Sequence, residues 1–223
     1  MPSAQPKRRR GRAPLTRDRV IAAAMALADK HGIEALTMRR IGGDLGVEAM
    51  SLYNHVANKD DLISALLDAV VGEYALPDPD LDWKPALRAS AVSANKVLVR
   101  HPWAPSLHLS FRAMPGPSSM RYSESVLATL RQAGFSPEMT HHAFHSLEGH
   151  VDGYTLRQVN FPLQQEELEA VAKDFLAQFP ADEYPYFVEH VRGHLRNEFR
   201  SKSGFEFGLD LILDGLELLP RSG

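Results

Sequence analysis

Residues 36–59, LTMRRIGGDLGVEAMSLYNHVANK, carry the pattern that decides how this chain folds. Thr37 is placed to cap a helix whose apolar positions Met38, Ile41 and Leu45 recur at helical spacing, and Gly46 supplies the positive φ that stops it. From Glu48 to Val56 the spacing predicts a second short helix. Its Leu52 and Val56 turn inward, which leaves Met50, Ser51, Tyr53, Asn54 and His55 spread over the outside. A helix of this size fits the major groove of B-DNA, where Ser and Asn hydrogen-bond base edges or phosphates and Met or Tyr meets thymine methyls or the sugar-phosphate wall. Spacing alone equally allows an ordinary helical hairpin with a solvated face.

The flanks also read as helix. One helix is predicted from Thr16 to Gly32 with Val20, Ala24, Leu27 and Ala28 turned inward, and Asn58 with Asp61 signals the start of another that runs to about Tyr74. Between Leu76 and Pro85, three prolines and three aspartates interrupt the pattern and mark a domain boundary. Beyond it, helices are predicted over 84–100, 118–133, 137–160, 164–179, 186–199 and 204–219. A break at His101 and Pro102 opens an aromatic and proline-rich stretch that lasts to Pro117. No strand pattern occurs, so the fold class is all-α. The predicted organisation is a disordered basic arm at 1–14, a helix-turn-helix domain at 15–75, and a ligand-binding and dimerisation domain at 76–223.

Composition narrows the functions available. The 223 residues are 44% hydrophobic, enough for a core, and contain no cysteine, which rules out disulfides, thiolate zinc sites and a cysteine nucleophile. No apolar run approaches the ~18 residues of a membrane span, and the basic N-terminus lacks the apolar stretch of a secretion signal, so a cytoplasmic protein without membrane partners is expected. The net charge of −3 is unevenly spread: residues 1–61 carry eleven Lys and Arg against seven Asp and Glu, and the remainder fourteen against twenty-one. A basic head on an acidic body suits a protein that docks one end on phosphates. Lys7, Arg8, Arg9, Arg10 and Arg12 of the arm would follow a phosphate backbone or enter a minor groove; a solvated tail is the alternative.

The order GIEALTMRRIGGDLGVEAMSLYNHVANKDDLISALLDAV resembles the DNA-binding domain of the TetR family of bacterial repressors over roughly Leu15 to Val71. The resemblance implies that Thr37 and Arg39 begin the first helix of the helix-turn-helix and that Met50 and Ser51 head the recognition helix. It also implies that Tyr53, Asn54, His55 and Lys59 reach phosphate or bases. Gly42 and Gly43 depart from the alanines more common there, each at an expected cost of about 0.5–1 kcal/mol of helix stability. The segments RHPW at 100–103 and FEFGLDLILDGLELL at 205–219 look like parts of the tetracycline-repressor type of C-terminal domain. That likeness implies a palindromic double-stranded operator bound by a homodimer and released by a small-molecule inducer. Ala75 stands where those repressors carry a drug-contacting histidine, and the stretch from Thr155 to Asn160 lacks their magnesium-holding carboxylate, so tetracycline is not the expected inducer.

In the last helix, Phe205, Leu209, Ile212, Leu216 and Leu219 form one apolar face, Phe207, Leu211 and Leu218 a second, and Glu206, Asp210, Asp214 and Glu217 a polar stripe. So much apolar surface, with Gly208 and Gly215 here and Gly149 and Gly153 on the 137–160 helix, predicts a two-fold interface; a central core helix is the alternative. Trp103, His108, Phe111, Met114, Met120, Tyr122 and Phe144 are candidates to line an apolar inducer cavity, or equally to fill the core. His141, His142, His145, Glu148 and His150 invite a metal reading, but the i,i+4 pair arises readily by chance in a His-rich helix. A buried role for His145 at the dimer seam is preferred, and no metal or cofactor is called for. No GxSxG, glycine-rich phosphate loop or HExxH helix occurs, so no enzymatic activity is expected. The rival readings are a helical ligand carrier or metal-dependent enzyme that retains a helix-turn-helix, and a nucleoid-type binder without operator choice.

Overall fold

A computed structural model describes residues 14–110, 114–161, 165–196 and 203–221. Residues 1–13 of the basic arm and the ligand candidate Phe111 lie outside the described residues. The described chain is all-α, with no strand, in two compact units divided at Leu66 and Leu67.

The first unit contains α1 (Arg17–His31), a 3-10 turn (Ile33–Ala35), α2 (Met38–Leu45), α3 (Ala49–Leu52) and the start of α4 (Lys59–Val71). Its boundaries are written in side chains. Thr16 and Thr37 accept hydrogen bonds from the amides of Arg19 and Arg40, capping α1 and α2, and Asn58 accepts from the amide of Asp61 at the start of α4. Gly46 ends α2 in the left-handed region at φ 64°. Val20, Ala24, Leu27 and Ala28 are buried as the sequence predicts, together with Ile41, Leu52, Val56, Leu62 and Leu66.

Two details differ from the sequence reading. The regular part of the second hairpin helix is only Ala49–Leu52. Tyr53 to His55 continue as a tight turn, with the amides of Tyr53 and His55 bonded to carbonyls three residues back. Gly42 is also more than a helix-weakening residue. A Cβ there would stand 2.8 Å from the Val47 carbonyl oxygen and 3.3 Å from the Ala49 amide nitrogen, whereas one on Gly43 would meet nothing within 4 Å.

The second unit is built around α8 (Pro137–Val159), against which α5 (Trp83–Arg100), α6 (Ala104–Ser110), α7 (Pro117–Gln132) and α11 (Gly204–Glu217) all pack. Helices α9 (Gln165–Gln178) and α10 (Pro185–Leu195) pair with each other. Helix α6 was not legible in sequence: it falls in the stretch read as irregular, where Pro105 is tolerated because it sits in the first turn. Its N-terminal Ala104 and Pro105, with Trp103 before them, are buried.

Helix α11 has three faces. Phe205, Leu209, Leu213 and Leu216 are buried, so Leu213 takes the inward place expected of Ile212, which is half-buried. The acidic stripe meets α5 of the same chain: Arg88 bonds Glu206 at 2.7 Å and Asp210 at 2.6 Å, and Lys84 bonds Asp214 at 2.7 Å. Phe207, Leu211 and Leu218 remain exposed. Gly208 faces His150 of the same chain, since a Cβ would come within 2.5 Å of that ring, while Gly215, Gly149 and Gly153 open onto free space.

The two hairpin glycines are expected to behave oppositely. Gly43→Ala gains about 0.5–1 kcal/mol of helix propensity. Gly42→Ala forces the Val47 carbonyl aside and lowers the urea midpoint below that of Gly43→Ala; equal midpoints would show that the turn yields without cost.

Candidate nucleic-acid interface and ligand site

A four-residue helix has little stability of its own, so the polar segment at 49–56 must be held from outside. Leu52 and Val56 anchor it from beneath, each almost completely buried. Arg17 of α1 clamps its end: Nη1 donates to the His55 carbonyl at 2.7 Å, and the guanidinium makes a bidentate pair with Asp61 at 2.7 and 3.0 Å. Asp61 also accepts the amide of Ala57 at 2.8 Å. The Arg17 hydrogen bond first, and the Ala57 amide next, hold the Asp61 carboxyl down at about 2, so the clamp is ionised at any physiological pH.

Around this anchor, Arg39, Met50, Tyr53, Asn54 and Lys59 are exposed, Met50 at 75%, and Ser51 and His55 are half-buried. Thr37 is exposed and uses its oxygen as the α2 cap, which leaves its hydroxyl proton to donate elsewhere. Lys59 is the first residue of α4, at the positive end of the helix dipole, where a cation is unfavourable. Its ammonium makes no hydrogen bond or ion pair with another described residue. Sequence reasoning missed Arg17 and recognised Asp61 only as part of a capping signal; the acid one turn into a capped helix was the available clue.

In the body, the predicted ligand residues separate. Trp103 is buried at 6%, and Tyr122 packs edge-on to Tyr74 at 5.2 Å. His108 is largely buried 3.6 Å from Asp152, and Phe144 is half-buried against the exposed His145. Met114 and Met120 are 83% and 56% exposed. Unforeseen in sequence is the polar group that surrounds Tyr122. The Tyr74 hydroxyl is buried without a hydrogen-bond partner, and burial pushes its phenol well above the ordinary value. Glu148 and Asp152 lie one turn apart on α8; the Glu148 side chain keeps 43% of its surface exposed, and its partial burial first, then repulsion from Asp152, lifts its carboxyl to about 7, against the pull of His108. His145 stands 3.2 Å from Glu148, and its ring lies 4.5 Å from that of His141. Among the described residues no group of three or more His, Asp or Glu side chains is arranged to hold a metal ion.

Residues 20–66 match the family model for bacterial regulatory proteins of the tetR family, and residues 76–219 match that for the tetracyclin repressor-like C-terminal domain. The chain belongs to the TetR family of bacterial regulatory proteins. It is a transcriptional regulator. The chain is 36% identical to the HTH-type transcriptional repressor DrrR1 of Streptomyces coeruleorubidus, over 95% of this chain and 82% of that one. It is 30% identical to the class D tetracycline repressor of Escherichia coli, over 92% and 91%. In structure it is similar to Streptomyces coelicolor ActR in complex with actinorhodin, with a TM-score of 0.78 and 28% identity over 92% of this chain and 96% of that one. No helix among the described residues is long and apolar enough to cross a membrane.

The Glu148 carboxyl gives this TetR-family body a pH dependence of defined sign. An unfolded glutamate titrates near 4.5 and the folded one near 7, so between these values the folded state holds a proton that the unfolded state releases. The contribution is fully present below about 4.5 and is lost as pH rises through about 7. Glu148→Gln, which mimics the protonated acid, is expected to match the wild type in urea denaturation near pH 5 and to exceed it at pH 8. A difference that does not grow with pH would place the acid in water.

Proposed function

We propose that this regulator is a cytoplasmic repressor that binds a near-palindromic operator as a homodimer and is released by a small-molecule inducer, with no catalytic activity of its own. The observation that carries the reading is the exposed polar and aromatic set at 37–59, mounted on a clamped hairpin in a chain of the TetR family. In this reading residues 15–75 form the DNA-binding domain, residues 76–223 the inducer-binding and dimerisation domain, and the arm at 1–14 adds phosphate contacts. Thr37, Ser51, Tyr53, Asn54, His55 and Met50 lie along the groove. Arg39, which makes no hydrogen bond with another described residue, offers a two-pronged fork for a guanine O6 and N7. Lys59 offers a point charge to phosphate.

Dimerisation is supported by the face of α11 that carries Phe207, Leu211, Leu218 and Gly215, and by the open Gly149 and Gly153 of α8, where a second copy would cover exposed apolar surface. A dimer of such heads sets its two recognition segments about one DNA turn apart, roughly 34–36 Å. Of the seven sequence candidates assigned to the inducer, Trp103, His108, Tyr122 and Phe144 are buried or half-buried and would form its site in the body, whereas Met114 and Met120 are exposed and Phe111 lies outside the described residues. Helix α4 begins in the first unit and ends in the second. Asp68, on its C-terminal half, accepts the amides of Ser118 and Ser119 at 3.3 and 2.8 Å and so caps α7, while Lys59 begins the same helix. A ligand that shifts α7 therefore acts on α4, and a coupling free energy of about 1–3 kcal/mol is enough to matter. ActR with actinorhodin supports a small-molecule ligand for this body; Ala75 in place of a histidine argues against tetracycline.

The two basic side chains are expected to fail differently. Arg39→Ala costs about 1–3 kcal/mol on the operator and relaxes preference at one base pair in each half-site, whereas Lys59→Ala weakens all duplexes about equally. Titration of each variant against the operator and its single-base variants checks this. A uniform loss for Arg39→Ala on every duplex would make it a phosphate contact.

A further inference from the structure

A cavity of about 800 Å³ lies wholly within the body, between the C-terminal half of α8, the paired helices α9 and α10, and the start of α11. Most of its wall is apolar: Phe161, Val171, Phe175, Phe187, Val191 and Leu195. The Phe175 ring stacks on Phe179 at 4.1 Å and lies 5.3 Å from Phe187, which makes one continuous aromatic surface. Phe161, Val171 and Phe187 are each about half exposed, at 54%, 52% and 49%, so the cavity presents apolar area to water.

Its polar lining is of one sign. Arg157 and His194 are the ionisable side chains besides the Tyr154 phenol, and no carboxylate is among the described lining residues. Arg157 makes no hydrogen bond or ion pair with another described residue. Burial first, then His190 and Arg157, pushes the His194 imidazole below its ordinary value, so the standing charge at the cavity is that of Arg157. Gln158 is oriented by Asn95, whose amide donates to Gln158 Oε1 at 3.3 Å, leaving the Gln158 N–H groups as donors.

We propose that this cavity binds an amphipathic organic anion, its acyl or aryl body against Phe175, Phe187, Val191 and Leu195 and its acid head on the Arg157 guanidinium beside the Gln158 amide. The charge selects the occupant. A cationic amphiphile would face Arg157 unpaired, and a neutral one would leave that guanidinium without a counter-charge. The site goes beyond the inducer reading: none of the seven residues assigned to the inducer is among its described lining residues.

Calorimetric titration of the full-length protein at pH 7.5 with dodecanoate, dodecanol and dodecylamine, each below its micelle concentration, tests the assignment. Dodecanoate is expected to bind about tenfold or more tightly than either of the others. Arg157→Gln should reduce dodecanoate to the affinity of dodecanol, and Arg157→Lys should restore part of the preference. Val191→Asn, polar but uncharged, should weaken dodecanoate and dodecanol alike, which ties the binding to this wall. Equal affinity for all three probes, a preference that survives Arg157→Gln, or no binding because a second copy fills the cavity would each overturn the proposal. Operator binding, measured on the same variants, separates the two readings: a protein that holds its operator but not dodecanoate loses only this site, and the converse loses only the repressor.

Discussion

A recognition segment with four residues of regular helix cannot hold its own shape, and the organisation of the head follows from that constraint. Leu52 and Val56 fix its underside by burial, each worth about 1.5–3 kcal/mol as large apolar side chains removed from water. Gly46 turns the chain and Gly42 lets the turn lie against α2. Arg17 then ties the end of the segment to α1 and α4 at once, through the His55 carbonyl and the Asp61 carboxylate. With the ends fixed by buried groups and ionised hydrogen bonds, the outer side chains are free of structural duty. That is the condition under which a surface can be specialised for a ligand rather than for the fold.

The body divides its labour by face. Helix α8 supplies the buried centre, and α11 is held to α5 by Arg88 and Lys84 on its acidic stripe. These pairs are partly exposed and individually weak, so their effect is orientation: they fix which side of α11 turns outward. The side that turns outward is apolar, which is costly for a monomer and useful for a dimer. Elsewhere in the body the cost is polar: the Tyr74 hydroxyl is buried without a partner, and the half-buried Glu148 is kept where its charge is penalised. Groups of this kind cluster at functional sites, although structural networks perturb them too.

Most of the helices were legible because their ends are marked by local chemistry. Thr37, Gly46, Asn58 and Pro137 each act within one turn of their own position, so the sequence alone locates them. What depended on distant neighbours was not legible. The room that Gly42 gives the Val47 carbonyl, the clamp from Arg17 across 38 and 44 residues, and the inward place of Leu213 instead of Ile212 are tertiary facts. On a helix apolar over most of its circumference, periodicity does not say which side faces in. Composition likewise grouped Trp103 with Met114 and Met120, although one is buried and the others are exposed. The α9–α10 cavity carried no signal, because most of its apolar wall, from Val171 to Leu195, stands on helices other than the one that carries Arg157.

In the repressor proposed here, the clamped segment at 49–56 reads base sequence. Selection of bound fragments from random duplex DNA, followed by titration of the full-length protein against the selected site and against random duplex at one salt concentration, tests it most directly. A near-palindromic consensus and an affinity ratio of about 10³ or more between the two are expected. A ratio near one, with no consensus, would contradict it and leave a protein that binds DNA by charge alone.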